Sequence, residues 1–501
     1  MSDAPLILGV SGLRGIVGES LTPEVAVRYA GAFGTWLREN RASVETIVVG
    51  RDGRAGGEVF YHAVISALLG MGFDVQVVGV VMTPTVGVLV DVHGGMAAGV
   101  IITASHNPLE WNGIKALLPS EDAAELVDAA APAASDASEI VGSYQAGGVT
   151  WMNYSGELIE SAEMASEEHV ATVSQRTFAH MTDAVIAKNF VAVTDCVNAS
   201  GGVASAALLR QLGVRTVPLH SDGSGVFPHT PEPTRENLSG AGGLCDAVPG
   251  LKADVGFAQD PDADRLAIVD ELGNYIGEEY TLVLCAAALM EGRKASRQDV
   301  GSAGNGKPVF VVNLSTSRMI DDVAAHYGAE VVRTAVGEAN VVERMKALTA
   351  SGRDVVMGGE GNGGVIWAEV TYVRDSLSAM ALTLSLMART GKSVSELVKM
   401  IEAMGPGRAG YSIIKKKADL ASKADAVPVV EHLVEVFGKD ANARVDTQDG
   451  VRVDWDAEGV WAHVRASNTE AIMRVIVEAP TGEMAEATAA MVEDRIAEVR
   501  G

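Results

Sequence analysis

Cysteine is scarce: Cys196, Cys245 and Cys285 are the three in 501 residues, odd in number and widely spaced. Neither a disulfide framework nor a zinc site is indicated by them, and a reducing cytoplasm is the expected compartment. Positive charge is also short, with 39 Lys and Arg against 65 Asp and Glu and a formal charge of -26. That balance opposes non-specific nucleic-acid binding and attraction to anionic membranes, so any anionic ligand must be held by a local cluster of basic groups and backbone amides. No run of 18 apolar residues occurs and no charged n-region precedes an apolar h-region, so neither a membrane span nor a secretion signal is expected.

What is present is an enzyme-sized globular composition, 48% hydrophobic and 21% charged, too long for one core. Thr22-Pro23-Glu24 opens a helix whose apolar positions are Val25, Ala26, Tyr29, Phe33, Trp36 and Leu37. Ile47-Val48-Val49, a helix over about 57–70, Val75 to Val78, a further helix and Gly99 to Ile102 complete a βαβαβ pattern. Similar α/β units begin at Val191 and near Tyr280, and alternating strands beyond Met404-Gly405-Pro406-Gly407 suggest a smaller α+β domain. The expected fold is α/β: three related domains with mixed, mostly parallel sheets (1–155, 156–274 and 275–404) and a C-terminal α+β domain (408–501) around a central cleft. Residues 121–145 read as an exposed helix or loop insertion, and Gly9-Val10-Ser11-Gly12-Leu13-Arg14-Gly15 as a flexible loop bringing Arg14 and backbone amides to an anion.

Four loops carry the chemistry. Thr103-Ala104-Ser105-His106-Asn107-Pro108 displays a hydroxyl at a strand end, where Pro108 blocks a helix. Asp260-Pro261-Asp262-Ala263-Asp264-Arg265 sets carboxylates at i, i+2 and i+4, suited to one hard cation. An EF-hand fails there, because Arg265 stands at the glycine position and a strand follows. An incomplete oxygen cage with room for a phosphate oxygen favours Mg²⁺ over Ca²⁺. Gly359-Glu360-Gly361-Asn362-Gly363 places a carboxylate and an amide among glycines, a pair able to bind vicinal hydroxyls. Arg465-Ala466-Ser467-Asn468-Thr469-Glu470, with Arg474 beyond, offers a guanidinium, hydroxyls and an amide to a phosphate. Gly301-Ser302-Ala303-Gly304-Asn305-Gly306-Lys307 imitates a P-loop, but Pro308 replaces the metal-binding hydroxyl and a strand follows, so it reads as a surface loop.

These motifs, in this order, make the chain resemble the α-D-phosphohexomutase superfamily over nearly its full length. The resemblance implies a phosphoserine enzyme that interconverts a hexose 6-phosphate and 1-phosphate through a bisphosphate intermediate. By the same resemblance Ser105 carries the phosphoryl group, and Asp260, Asp262 and Asp264 hold Mg²⁺ together with it. Glu360 and Asn362 then contact the sugar, and Arg465, Ser467, Asn468 and Thr469, with Arg474, grip the non-reacting phosphate. Arg14, His106 and Lys115 assist at the transferring group, the last two being candidate general bases. Asn362, with Val336 to Val341 and Pro231-Glu232-Pro233, resembles phosphoglucosamine mutases, so glucosamine phosphate is expected ahead of mannose or glucose phosphate. Ala471 departs from the proline that often follows the phosphate loop. A Mg²⁺-dependent phosphatase and a non-catalytic sugar-phosphate binder are the rival readings; the first needs no two-ended recognition, and intact Ser105 and the three acids count against the second.

Overall fold

Runs such as Ile47-Val48-Val49 and Val191-Ala192-Val193 are too short for helices and are apolar at consecutive positions, the pattern of strands covered on both faces. In a computed structural model, which describes residues 4–10, 12–119, 128–178, 185–186, 188–300, 306–405, 410–467 and 471–500 (side chains of 178, 295–300 and 500 excepted), both become inner strands. The first sheet contains β1 (Leu6–Gly9), β2 (Gly12–Ile16), β3 (Thr46–Arg51), β4 (Asp74–Val80), β5 (Ala97–Ile102), β6 (Trp111–Leu117) and β7 (Leu158–Glu160), in the order β1-β2-β6-β5-β3-β4-β7. The second contains β8 (Val191–Asp195), β9 (Arg215–Leu219), β10 (Val255–Gln259) and β11 (Leu266–Asp270), ordered β11-β10-β8-β9. The third contains β12 (Pro308–Asn313), β13 (Glu330–Thr334), β14 (Asp354–Glu360) and β15 (Gly364–Ile366), ordered β13-β12-β14-β15. The fourth is wholly antiparallel: β16 (Ser412–Asp419), β17 (Arg444–Asp446), β18 (Val451–Trp455), β19 (Val460–Ala466) and β20 (Ile472–Ala479), ordered β16-β20-β19-β18-β17.

One topology recurs in the first three sheets. A central strand (β3, β8 or β12) is flanked by two parallel strands, and the third strand of each unit (β5, β10 or β14) turns back into an antiparallel partner (β6, β11 or β15). That turn carries the Ser105 motif in the first domain, the three aspartates in the second and Glu360-Gly361-Asn362 in the third. Motif residues thus fall at carboxyl ends of strands, where open α/β sheets place their ligands. The helix Ser376–Thr390 is buried from Ser376 to Ala388 and shares a single apolar core with the second and third sheets. The C-terminal domain, domain IV, instead has a core of its own, centred on Val429, Val453, Val475 and Ile496.

Several details differ from expectation. β1 and β2 pair antiparallel, and Arg14 lies on a strand in register with Gly113. Gly12 serves close packing: a Cβ on it would sit 2.0 Å from the Ile114 carbonyl oxygen. Lys115 is on β6. Residues 134–146 of the supposed exposed insertion form a helix that buries Ala137, Ile140 and Tyr144, and Trp36 Nε1 donates to its Glu139 (2.9 Å). β7 pairs with β4, which carries the first sheet past the boundary expected at 155. Residues 120–127, 301–305 and Pro406-Gly407 lie outside the described residues. Among the described residues no helix is long and apolar enough to cross a membrane.

Candidate active site

β5 is buried along its whole length and ends at Ile102, so Thr103 emerges into a polar frame. Thr103 Oγ1 donates to Asp52 Oδ2 (2.7 Å) and accepts the Ser105 N–H (2.8 Å). Arg54, buried and paired with Asp52 at 2.8 Å, donates to the carbonyl oxygens of Trp111 (2.8 Å) and Ser105. This frame holds Ser105 at φ 50°, a left-handed conformation that costs about 1–3 kcal/mol for a non-glycine residue. As a result Ser105 Oγ faces the second domain and donates to Asp260 Oδ2 at 2.9 Å. His106 Nδ1 is 3.4 Å from the same oxygen. The neighbouring Arg265, burial and Arg14 push His106 well below its ordinary range, which keeps the imidazole neutral. Arg14 donates to Asn107 Oδ1 at 3.0 Å, and burial lowers its own pKa.

The carboxylates of Asp260, Asp262 and Asp264 are fully buried, with ligand oxygens within 4.8 Å of one another. Lys115 Nζ reaches across from the first domain to Asp262 Oδ2 (2.5 Å) and Asp264 Oδ2 (3.2 Å), and Thr83 Oγ1 donates to Asp262 Oδ2 (2.7 Å). Burial and its two like-charged neighbours push Asp260 well above the carboxylate range. Burial would raise Asp264 too, but Arg374, Lys115 and Arg265 outweigh it and hold it very low. Burial would lower Lys115, yet Asp262 and Asp264 raise it above its ordinary value. Asp262 Oδ1 and Asp264 Oδ1 are buried without a hydrogen-bond partner. Two orphaned carboxylate oxygens beside a third carboxylate are what a hard divalent cation requires, so these residues fit Mg²⁺.

Arg374 joins this cluster to the third domain. It contacts Asp264 Oδ2 (2.6 Å), Glu360 Oε2 (2.6 Å) and Glu338 Oε2 (3.3 Å). Burial alone would disfavour its charge, but the three carboxylates push its pKa well above the ordinary value. Its aim is set by the next residue, because Asp375 caps the buried helix through the N–H groups of Leu377 and Ser378. Glu360 also accepts from Asn313 Nδ2 (2.8 Å), the Gly337 N–H (3.2 Å) and Asn362 Nδ2 (3.4 Å). Gly361 must be glycine: a Cβ there would lie 2.2 Å from the buried Glu279 carboxylate.

Domain IV meets the third domain through Asp449, which accepts from the Val336 N–H (3.1 Å) and from Arg465 Nε (2.9 Å). Arg465 is therefore linked to the Gly337–Glu360 contact through adjacent backbone. Ser467 closes the loop base, its N–H donating to the Ile472 carbonyl at 3.0 Å; Asn468 and Thr469 lie outside the described residues. Arg474 is exposed on β20, directly opposite Arg465 on one side and Lys417 on the other. Cross-strand partners share a face, so three cations stand in a row on one side of this sheet.

The chain matches four family models described as phosphoglucomutase/phosphomannomutase: alpha/beta/alpha domain I over residues 5–131, domain II over 167–273, domain III over 278–404 and the C-terminal domain over 414–495. It belongs to the α-D-phosphohexomutase superfamily. Among phosphohexomutases it is 34% identical to a phosphoglucomutase/phosphomannomutase of Thermococcus kodakarensis, covering 96% of each chain. It is also 34% identical to a probable phosphoglucosamine mutase of Methanopyrus kandleri, covering 95% of this chain and 94% of that one. A crystal structure of a putative phosphomannomutase from Thermus thermophilus superposes with a TM-score of 0.76 at 26% identity, covering all of both chains.

The geometry thus brings Ser105, His106, Lys115, Arg14 and the three aspartates into one cluster, and ties Glu360 and Asn362 to it through Arg374. Arg374, Thr83, Asp52 and Lys417 had no assigned role in the sequence reading. Arg374 left one local signal, an arginine directly before a helix-capping aspartate.

Proposed function

We propose that this chain interconverts the 6- and 1-phosphates of a hexose, glucosamine phosphate being the favoured substrate, by way of phosphorylated Ser105 and a bisphosphate intermediate. The observation that carries the reading is the 2.9 Å contact of Ser105 Oγ with Asp260 beside two orphaned carboxylate oxygens, assembled from equivalent turns of two domains. Asp260, Asp262 and Asp264 would hold Mg²⁺ together with the phosphoryl group, and the ion supplies charge neutralisation to it. Phosphoryl transfer asks mainly for positioning and such neutralisation. Arg14 and Lys115 reinforce that positive field, and His106, the nearest basic nitrogen to Ser105 Oγ, takes the role of proton acceptor.

A carboxylate has about four lone-pair sites, and Glu360 meets Arg374, Asn313, Gly337 and Asn362. A sugar hydroxyl therefore enters by replacing the longest contact, that of Asn362, whose amide is then free to bind the same sugar. The cation row of Arg465, Arg474 and Lys417, with Ser467, Asn468 and Thr469, receives the phosphate that is not reacting. The two-ended arrangement favours a mutase over a phosphatase, because both ends of the sugar must be held while the bisphosphate turns round. We place the enzyme in the cytoplasm, in keeping with three free cysteines.

Glucosamine phosphate is supported by the Glu360-Gly361-Asn362-Gly363-Gly364 loop and by relatives named as probable phosphoglucosamine mutases. A glucose or mannose phosphate substrate is the second reading, supported by the Thermococcus kodakarensis relative. An assay with Mg²⁺, a trace of matching bisphosphate and the three 6-phosphates offered separately decides between them. Preferential formation of glucosamine 1-phosphate is expected. Conversion of only glucose or mannose phosphate would discard the role given to Asn362, and release of free phosphate without isomer would make the protein a phosphatase.

A further inference from the structure

Away from the aspartate turn, the second domain gathers two histidines around one carboxylate. Asp195 ends β8, His220 follows β9, and His229 lies in the irregular segment beyond. His220 Nδ1 is 2.9 Å and His229 Nε2 3.1 Å from Asp195 Oδ2, and the three ligand atoms lie within 4.8 Å of one another. We infer that Asp195, His220 and His229 form a second metal site, one that takes Zn²⁺ or a similar first-row divalent ion and fastens the second domain to the first.

Ligand bonds of about 2.1 Å set donors about 3.0–3.4 Å apart in octahedral or tetrahedral arrangements, close to the 2.9 and 3.1 Å that separate Asp195 Oδ2 from the two imidazole nitrogens. The two imidazole nitrogens lie within 4.8 Å of each other, so a metal would draw the rings around it. The hydrogen bonding around His229 points the same way. Its Nδ1 faces the Thr230 carbonyl at 2.8 Å, and its Nε2 faces the Asp195 carboxylate, so both ring nitrogens confront acceptors. With Nδ1–H donating to Thr230, as ligating histidines commonly donate to a carbonyl, Nε2 faces the carboxylate oxygen, and that contact is satisfied by a second ring proton or by a cation held between the two atoms. Asp195 Oδ1 is fixed by the Val197 N–H (3.0 Å), which leaves Oδ2 for the metal. Asp195 is 2% exposed, while His220 and His229 keep 30% and 20% of their side-chain surface, enough for an ion to enter. Two imidazoles and one carboxylate suit Zn²⁺ better than Mg²⁺, which prefers oxygen donors. The set contains no cysteine, and cysteine spacing therefore gave no sign of it.

The consequence lies in what the three residues hold. The loop joining the two histidines docks on the first domain: the Ala55 N–H donates to the Gly225 carbonyl (3.0 Å), and the Arg54 guanidinium lies over the Phe227 ring. The turn after Asp195 supports the aspartate loop through Ser200 Oγ, which donates to the Pro261 carbonyl at 2.7 Å. A metal at this point would fix both supports of the Ser105 and aspartate turns without touching substrate.

The test is metal binding to chelator-treated full-length protein, with excess Mg²⁺ present to occupy the aspartate cluster. The expected result is one retained equivalent of Zn²⁺, and with Co²⁺ in its place the visible absorption of nitrogen-ligated cobalt. In His229→Gln and His220→Gln, affinity should fall by more than the about 10- to 100-fold that loss of an outer partner costs. His432→Gln, at a histidine paired with Glu498 in domain IV, should bind as the unaltered protein does. No retained zinc and no cobalt bands in the unaltered protein would overturn the inference and leave a hydrogen-bonded His-Asp-His cluster. An equal loss in all three variants would overturn it too, by showing adventitious binding to surface histidines.

Discussion

Asp264 and Arg474 stand at opposite ends of a scale of confinement. Asp264 is fully buried between domains, with Lys115 and Arg374 in hydrogen-bond range, and its charge is neutralised before any ligand arrives. Arg474 is exposed on a small antiparallel sheet, with cations as its cross-strand partners. The reacting end of the site is thus over-determined by contacts from three domains. The proposed phosphate-holding end sits on a domain with its own core, where Arg474 is exposed and Arg465 is paired with Asp449. On the proposed mechanism, positioning asks for the first arrangement, whereas capture and release of a substrate that presents either end asks for the second.

The largest break in this contrast is expected from Arg374→Ala. It leaves buried Asp264 and Glu360, and half-buried Glu338, without their shared cation, and removing one partner of a buried ion pair costs about 3–5 kcal/mol. Denaturant unfolding should show a loss of that size, with Arg374→Lys intermediate because it keeps the charge but not the planar fork. A loss below about 1 kcal/mol would mean that the centre is not held by this arginine, a value typical of exposed pairs.

Glu279 sharpens the comparison within the centre itself. Like Asp264 it is buried, but it sits beneath Gly361 with the Ser317 N–H as its close partner (3.0 Å), and burial raises its pKa from 4.5 to about 8. In the folded protein it keeps a proton that the unfolded chain loses above pH 4.5, so its contribution falls as pH rises toward 8. Relative to Glu279→Gln, the unaltered protein should lose about 2–3 kcal/mol between pH 5.5 and 7.5, at about 1.4 kcal/mol per pH unit. Parallel stability curves for the two proteins over that window would contradict a buried neutral carboxyl.

At the exposed end the effects should be small and should fall on binding. Arg474→Ala and Lys417→Ala are each expected to raise KM for the sugar phosphate about tenfold, the equivalent of roughly 1.4 kcal/mol. Thermal stability should stay level or rise slightly, because like charges directly opposite one another on a sheet are unfavourable. A marked drop in Tm would show that these residues support the fold of domain IV.

The same division governs what was legible in the sequence. Ser105 and the three aspartates were readable because their spacing is local and the flanking strands show as apolar runs. Arg374 was not, since its contact with Asp264 spans 110 residues and crosses a domain boundary. The Asp195 cluster spans 25 and 34 residues and has no motif. The pairing of β1 with β2 was hidden by glycines that suggested a loop, although Gly12 is there to let β2 approach β6. Topology added what periodicity lacks, namely that the first three motifs occupy the same turn in three related sheets.

The most direct test of the account is a single-turnover experiment with protein carrying a labelled phosphoryl group on Ser105, mixed with a hexose 6-phosphate and Mg²⁺. The label is predicted to leave the protein and appear in a hexose bisphosphate, while Ser105→Ala takes up no label and loses turnover by roughly 10⁴-fold or more. Appearance of the label as inorganic phosphate, or full isomerase activity in Ser105→Ala, would contradict it.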